Sequence, residues 1–400
     1  MEMKYLYKKE DVMESIAAKR IPYSQIRVMF DAANKLEKQG KKIIHLEIGR
    51  PDFNTPEHIV EAAVEALRSG KHHYSQNAGI LELRQAISDK FTSEYSLEYD
   101  PETEVVVTNG VAEGVYLAIH ALLNPGDQIL IPDPRWINYD VDAITNFVDP
   151  VDYTLFEDKS FQPDPEEIEE KVTEKTKMIL VASPSNPTGG VTGKDVLERI
   201  AELAIKKDLL VLSDEIYEKI VYPPAEHFSI ATLPGMRERT VLLNGFSKFF
   251  SMTGWRLGYV LGPNELVNPI LRYHQYMITS TNTFAQWGAV TALREDQEPS
   301  RVMVKEFQKR RDYMSDAINQ IPGIRCAKPD GAFYLFPSIK ETGMDGFKMA
   351  EMLLEKAGVA TVAGECFGKN GADHIRISYS NSLENLKEAV QKIESVLNDI

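Results

Sequence analysis

Short apolar runs separated by amphipathic segments begin near residue 100. The runs at 105–107, 129–131, 178–181, 209–212 and 241–243 are uninterrupted and rich in leucine and β-branched residues, as strands covered on both faces are. Between them, segments 112–123, closed by Asn124-Pro125-Gly126, and 193–207 carry the leucine, alanine and charged residues of crossover helices. Connections of that length favour parallel neighbours. The alternation predicts an α/β fold whose large domain holds a mostly parallel sheet flanked by helices. After about residue 290 the texture changes to a long charged helical pattern at 302–321, the segment Gly331-Ala332-Phe333-Tyr334-Leu335-Phe336 and a closing helix from Ser382. That pattern predicts a smaller α+β domain. The amphipathic stretch 31–39 precedes the strand pattern, which assigns the N-terminus to the smaller unit. The expected division is an N-terminal arm with part of the small domain at 1–45, a large domain at 46–290 and a C-terminal small domain at 291–400.

Composition narrows the functional classes. Four hundred residues, 43% of them hydrophobic, are enough for an enzyme with more than one core. Sixty acidic against 45 basic residues give a net charge of -15, which argues against nucleic acid as a partner. Cys326 and Cys366 are the sole cysteines and have no Cys-x-x-Cys spacing, so neither a disulfide framework nor a zinc site is indicated and a reducing cytoplasm fits. No apolar stretch approaches the roughly 20 residues of a membrane span, and the N-terminus lacks a signal core, so a soluble chain without a membrane role is expected. His72-His73, His45, His120 and His274 have no carboxylate completing a ligand set, and no metal site is expected.

The chemistry gathers where the apolar runs end. Those endings are Thr108-Asn109-Gly110, Pro132-Asp133, Ser183-Pro184-Ser185-Asn186, Ser213-Asp214-Glu215 and Asn244-Gly245-Phe246-Ser247-Lys248, and ligands of α/β sheets bind at the carboxyl ends of strands. Lys248, preceded by Ser247 and followed eight positions later by Arg256, suits an amine held beside a bound phosphate. A primary amine can form a Schiff base with an aldehyde cofactor and exchange it for a substrate amine; Ser247 and Arg256 offer the phosphate a hydroxyl and a charged fork. This is the layout for pyridoxal 5'-phosphate. Asp214 would set a carboxylate against the pyridine nitrogen, and Tyr217 and Asn186 could reach the phenolic oxygen. A solvated carboxylate and an ordinary Pro/Gly turn, with a candidate cis bond before Pro187, are the bland alternatives. Gly110-Val111-Ala112 opens a helix whose free N–H groups could cradle a phosphate, and Trp136 could stack on a ring or simply pack. Arg376, in an apolar strand-like segment, requires either a substrate carboxylate or a structural ion pair.

These residues resemble the class I/II aminotransferases of the pyridoxal-phosphate fold type I superfamily, in the aspartate/aromatic group. The likeness runs from about Ile21 to the end. It rests on Asn186-Pro187-Thr188-Gly189, Asp214-Glu215-x-Tyr217, the Ser247-to-Tyr259 segment with Lys248, Met252, Gly254, Arg256 and Gly258, and the late Arg376. The resemblance implies Lys248 as cofactor lysine and proton shuttle, Asp214 as pyridinium partner, and Asn186 and Tyr217 as phenolic-oxygen donors. Trp136 would stack on the ring, Arg376 would hold the substrate α-carboxylate, and Gly49 would lie beside the substrate. Gly110, Val111, Ala112, Ser247 and Arg256 would hold the phosphate. Tyr74 matches a tyrosine that reaches a neighbour's phosphate across a homodimer interface. The implied activity is ping-pong transfer of an amino group to a 2-oxo acid, expected to be 2-oxoglutarate, with aspartate or an aromatic amino acid as donor and alanine next. Dicarboxylate-specific relatives often take a second cation from the neighbouring subunit, yet 277–286 holds no lysine or arginine. A carbon–sulfur β-lyase on the same scaffold is the rival expectation, since it shares Lys248, Asp214, Tyr217 and Arg256.

Overall fold

The computed structural model describes residues 14–398, and its largest element is an eight-stranded sheet. The strands lie in the order Val105–Thr108, Gly258–Leu261, Thr240–Gly245, Leu210–Asp214, Thr176–Ala182, Gln128–Asp133, Asp149–Phe156 and Gln162–Pro163. Five consecutive members of that order, from Thr240–Gly245 to Asp149–Phe156, pair in parallel. Gly258–Leu261 runs antiparallel to both of its neighbours, and Gln162–Pro163 is antiparallel at the far edge. All five predicted strands are present, and the mostly parallel α/β architecture is as expected. Three members of the sheet were not anticipated, one of them the two-residue edge strand Gln162–Pro163. Asp149–Phe156 alternates too many polar residues to read as a buried run, and Gly258–Leu261 follows so closely on the lysine segment that it reads as part of the motif.

Helices Val111–Leu122 and Lys194–Lys206 cover the sheet, and the chain enters the first of them directly from the strand Val105–Thr108. A second, three-stranded antiparallel sheet places Ile375–Ser378 between Tyr334–Leu335 and Val362–Ala363. It shares an apolar cluster with the helices Glu298–Ile318 and Leu383–Asn398 through Phe307, Met314, Phe333, Leu335, Leu386 and Ile393. The first of these helices begins earlier than its charge pattern suggests, because Pro299 sits in the opening turn, where its missing N–H costs nothing.

The N-terminal helix also starts earlier than predicted, at Gln25 rather than near residue 31, because the Ser24 side chain caps it by accepting from Arg27 N at 3.4 Å. Its buried face, Met29 and Ala33, enters a cluster containing Leu130, Ile179 and Val211 of the large sheet together with Val362, Ala363 and Phe367. The strand Ile44–His45 then pairs in parallel with Val359–Ala360. The segment after it, residues 46–50, therefore crosses between the two sheets. No helix among the described residues is long and apolar enough to cross a membrane, and both cysteines are buried and unpaired.

Candidate active site

Four parallel strand ends and the antiparallel return meet at one cleft of about 630 Å³, a size typical of small-molecule sites. Its geometry begins with glycine. After Lys248 the chain turns through Thr253–Trp255 and comes back as Gly258–Leu261, with Gly258 opposite Gly245. A Cβ on Gly258 would lie 2.7 Å from Val111 N and from the Gly110 carbonyl carbon, so only glycine lets this turn close on the N-terminus of the helix Val111–Leu122. Gly110 has φ +78°, and a Cβ there would stand 2.6 Å from Arg256 Nη2. Arg256 itself is left-handed, at φ 54°, a costly backbone state that here turns its guanidinium toward the phosphate-type turn. It donates to Thr253 O at 3.2 Å and to Asn109 O at 3.4 Å. The N–H groups of Val111 and Ala112 open the helix and have no carbonyl one turn behind them.

Lys248 is half-buried, and its Nζ donates to Gly49 O at 2.7 Å. Burial pushes its ammonium down to about 8, helped by the charges of Arg376 and Arg256 and opposed by Asp214. Of the two guanidiniums, Arg376 contributes more than Arg256. Asp214 ends its strand fully enclosed, and burial raises its carboxyl to about 6 against the pull of two hydrogen bonds. Those come from Tyr139 Oη at 2.7 Å and Ile216 N at 3.1 Å. Arg376 lies in the middle strand of the small sheet. It donates to Asn186 Oδ1 at 2.9 Å and to Glu47 O at 2.6 Å, while its buried Nε has no partner among the described residues.

Of the residues named from sequence, Gly49, Val111, Ala112, Trp136, Asn186, Asp214, Tyr217, Ser247, Lys248, Arg256 and Arg376 all line this cleft, and Gly110 abuts it through Arg256. Tyr74 does not; its side chain is 87% exposed. The Asn186–Pro187 bond is cis. Two tyrosines escaped sequence reasoning. Tyr139 reaches Asp214 from the helix Asn138–Thr145, three residues beyond the Trp136 that was singled out. Tyr334 shares a hydrogen bond of 2.8 Å with Tyr217, hydroxyl to hydroxyl, and sits under the Arg376 guanidinium at 4.6 Å. From sequence, the segment around it, Gly331 to Phe336, is placed in the smaller α+β domain without a role. Outside the cleft, Glu215, Glu218 and His227 hold their ligand atoms within 4.8 Å of one another. Lys90, Tyr95, Ser213 and Ser229 already satisfy those carboxylates.

The chain matches the family described as aminotransferase class I and II over residues 41–393, and it belongs to that family. It is 41% identical to the aromatic-amino-acid aminotransferase 2 of Thermococcus litoralis over 94% of this chain and 96% of that one. It is 42% identical to the aspartate aminotransferase of Pyrococcus abyssi, with the same coverage. A solved alanine aminotransferase from Pyrococcus furiosus superposes with a TM-score of 0.92 at 36% identity, covering 97% of this chain and all of that one. The protein is thus a pyridoxal-phosphate-dependent aminotransferase of fold type I, and the relatives favour this over a carbon–sulfur lyase.

The cleft fits that cofactor. A phosphate dianion suits the open N–H groups of Val111 and Ala112 beside Arg256. A protonated ring nitrogen suits Asp214, a buried carboxylate with no ion pair to an arginine among the described residues. A primary amine at the centre is partly desolvated and inclined to lose its proton.

Proposed function

We propose that this aminotransferase takes its amino group from aspartate or an aromatic amino acid, with alanine next, and delivers it to 2-oxoglutarate. Lys248, Asp214 and Tyr217 are assigned to the chemistry. Gly110, Val111, Ala112, Ser247, Arg256, Asn186 and Trp136 hold the cofactor, and Gly49, Asn186, Trp136 and Arg376 receive the substrate. One observation carries the assignment. Lys248 Nζ and Arg376 Nη2 bond to backbone carbonyls only two residues apart, Gly49 O and Glu47 O, so a carboxylate on Arg376 brings the adjacent Cα toward the lysine.

When bound, pyridoxal phosphate supplies an aldehyde that captures the amino group and a ring that accepts the electron pair left at Cα. Lys248 would take the Cα proton as its free amine and would deliver it to the cofactor's C4′ rather than back to Cα, which requires a neutral Nζ; its lowered affinity for protons serves that step. Asp214 keeps a positive ring nitrogen in place, and Tyr139 keeps Asp214 oriented and ionised. Arg376, with Asn186 against it, orients the carboxylate. Trp136, edge-on to Tyr139 at 5.5 Å, supplies an aromatic wall. The test is incubation of the holoenzyme with an amino acid alone. One equivalent of 2-oxo acid should appear and turnover stop, whereas continuous release of ammonia would sink the assignment.

We further propose a homodimer in which Tyr74 serves the partner's phosphate. In support, Tyr74 lies in a loop tied to 279–283 by Asn77 to Thr279 O and Thr283 to His73 O. The preceding helix exposes Tyr273, Tyr276 and Met277, a concentration of apolar surface suited to an interface. Sedimentation at micromolar concentration should give twice the chain mass, and Tyr74→Phe should weaken cofactor retention; a monomer with full activity would refute this.

A further inference from the structure

Two hydroxyls in the cleft hold one proton more than the bond between them uses. Tyr217 and Tyr334 are buried and line the cleft, and their oxygens lie 2.8 Å apart. Burial raises both phenols above their ordinary range, Tyr217 well above it, so each keeps its proton. One of the two protons lies between the oxygens, and neither oxygen has a second hydrogen-bond partner among the described residues. The other proton is unspent, in surroundings where an unmade hydrogen bond is costly.

Which hydroxyl donates decides where the unspent proton points. Tyr334 stands in a strand paired antiparallel with the one that carries Arg376, and its ring faces that guanidinium at 4.6 Å. The positive charge makes Tyr334 the readier to give up its proton. Tyr217 follows the end of the large-sheet strand Leu210–Asp214, and Lys248 Nζ lies 5.4 Å from the centre of its ring. It feels Arg376 as well, but also the Asp214 carboxylate, which holds its proton on. Tyr334 is therefore the donor, and Tyr217 accepts while keeping its own proton for the cleft. A hydroxyl that accepts a hydrogen bond is polarised into a stronger donor. The two rings meet nearly edge-on, with centroids 5.9 Å apart, and Phe333 packs on Tyr217 at 5.6 Å. All three belong to one apolar cluster, so close packing fixes the pair.

We propose that Tyr334 is a positioning residue whose hydroxyl donates to Tyr217, directs the Tyr217 proton at the phenolic oxygen of the bound cofactor and strengthens that bond. The proposal rests on the place assigned to Tyr217 at that oxygen. A stronger donor there favours the deprotonated, more negative form of the cofactor, so the pH midpoint of its absorbance lies lower than it would without Tyr334. The test titrates the absorbance of holoenzyme carrying Tyr217→Phe, Tyr334→Phe or both, beside the unmodified enzyme. Tyr217→Phe should raise the midpoint by about 1 to 2 units, the loss of a hydrogen bond to a charged group. Tyr334→Phe should raise it by roughly half a unit, since only the polarisation is lost, and by less than about 0.2 unit where Tyr217 is already replaced. The new Phe keeps a ring under Arg376, so equilibrium binding of propionate should move by less than about twofold. A larger loss of propionate binding would make Tyr334 a support for Arg376 instead and overturn the proposal. An unmoved or lowered midpoint in Tyr334→Phe, or an equal rise in both backgrounds, would overturn it too and leave Tyr217 in its place. An unmoved midpoint in Tyr217→Phe would remove the reading beneath it.

Discussion

On one side of the cleft, Asp214, Ser247, Lys248 and the Gly110 turn arrive on the carboxyl ends of strands in a single sheet, each within a few residues of a fully buried apolar run. On the other side, the 47–50 segment, Tyr334 and Arg376 come from a crossing loop and two strands of a different sheet. The first side is rigid for a simple reason: its strands are hydrogen-bonded to one another and most of their side chains are buried. The second is assembled by packing between distant parts of the chain. Under the proposed roles, the proton-transfer and cofactor-holding groups sit on the first side, and the clamp for the substrate's α-carboxylate, Arg376, sits on the second.

Replacing Lys248 with Ala tests the strand-end side most severely. Turnover should fall by roughly 10⁴-fold or more, the upper range for a positioned proton-transfer group, with every amino acid affected alike. Rapid single-turnover measurements would detect it, and near-normal rates would break the division outright. Arg376→Gln comes next. It should reduce kcat/KM by about 100-fold, as expected for hydrogen bonds to a charged group, for monocarboxylic and dicarboxylic substrates together. A selective loss would mean that Arg376 meets a group other than the α-carboxylate that all of these substrates share.

The same substitution makes a prediction about pH. In the cofactor-free protein, Lys248 should gain reactivity toward pyridoxal phosphate as pH rises through about 8, because the neutral amine is the nucleophile. Burial sets most of that depression and the Arg376 charge adds to it, so Arg376→Gln should move the midpoint upward. Stopped-flow absorbance over a pH series measures it, and an unmoved midpoint would show that burial acts alone. Tyr139→Phe should give the smallest effect, about tenfold for one hydrogen bond to a carboxylate. Since the Tyr139 bond opposes protonation of Asp214, its loss should shift the acid limb of kcat/KM to higher pH. A profile that keeps its shape would reduce Tyr139 to packing.

What the sequence disclosed follows the same division. Lys248, Asp214, Asn186 and the Gly110 turn were legible because an apolar run announces where a parallel strand stops, and a polar residue there has one place to point. Arg376 was legible as an arginine in apolar surroundings. Tyr139 and Tyr334 were not, because tyrosines on amphipathic elements look the same whether they face solvent, a core or a cleft. Only packing decides, and packing joins Arg376 to Glu47, 329 positions away.

The loop from Glu47 to Gly49 touches both reactive cations with its main chain rather than its side chains. Leu46 is locked on either side of its peptide, its N–H to Ala360 and its carbonyl to Ser378, so the two carbonyls that follow are aimed by the backbone. Side-chain substitutions along this loop can therefore alter what surrounds a substrate without displacing Lys248 or Arg376. Gly49 is the exception, because a Cβ there would meet the Tyr334 hydroxyl at 2.5 Å. A scaffold of this kind can change diet while its reaction stays fixed.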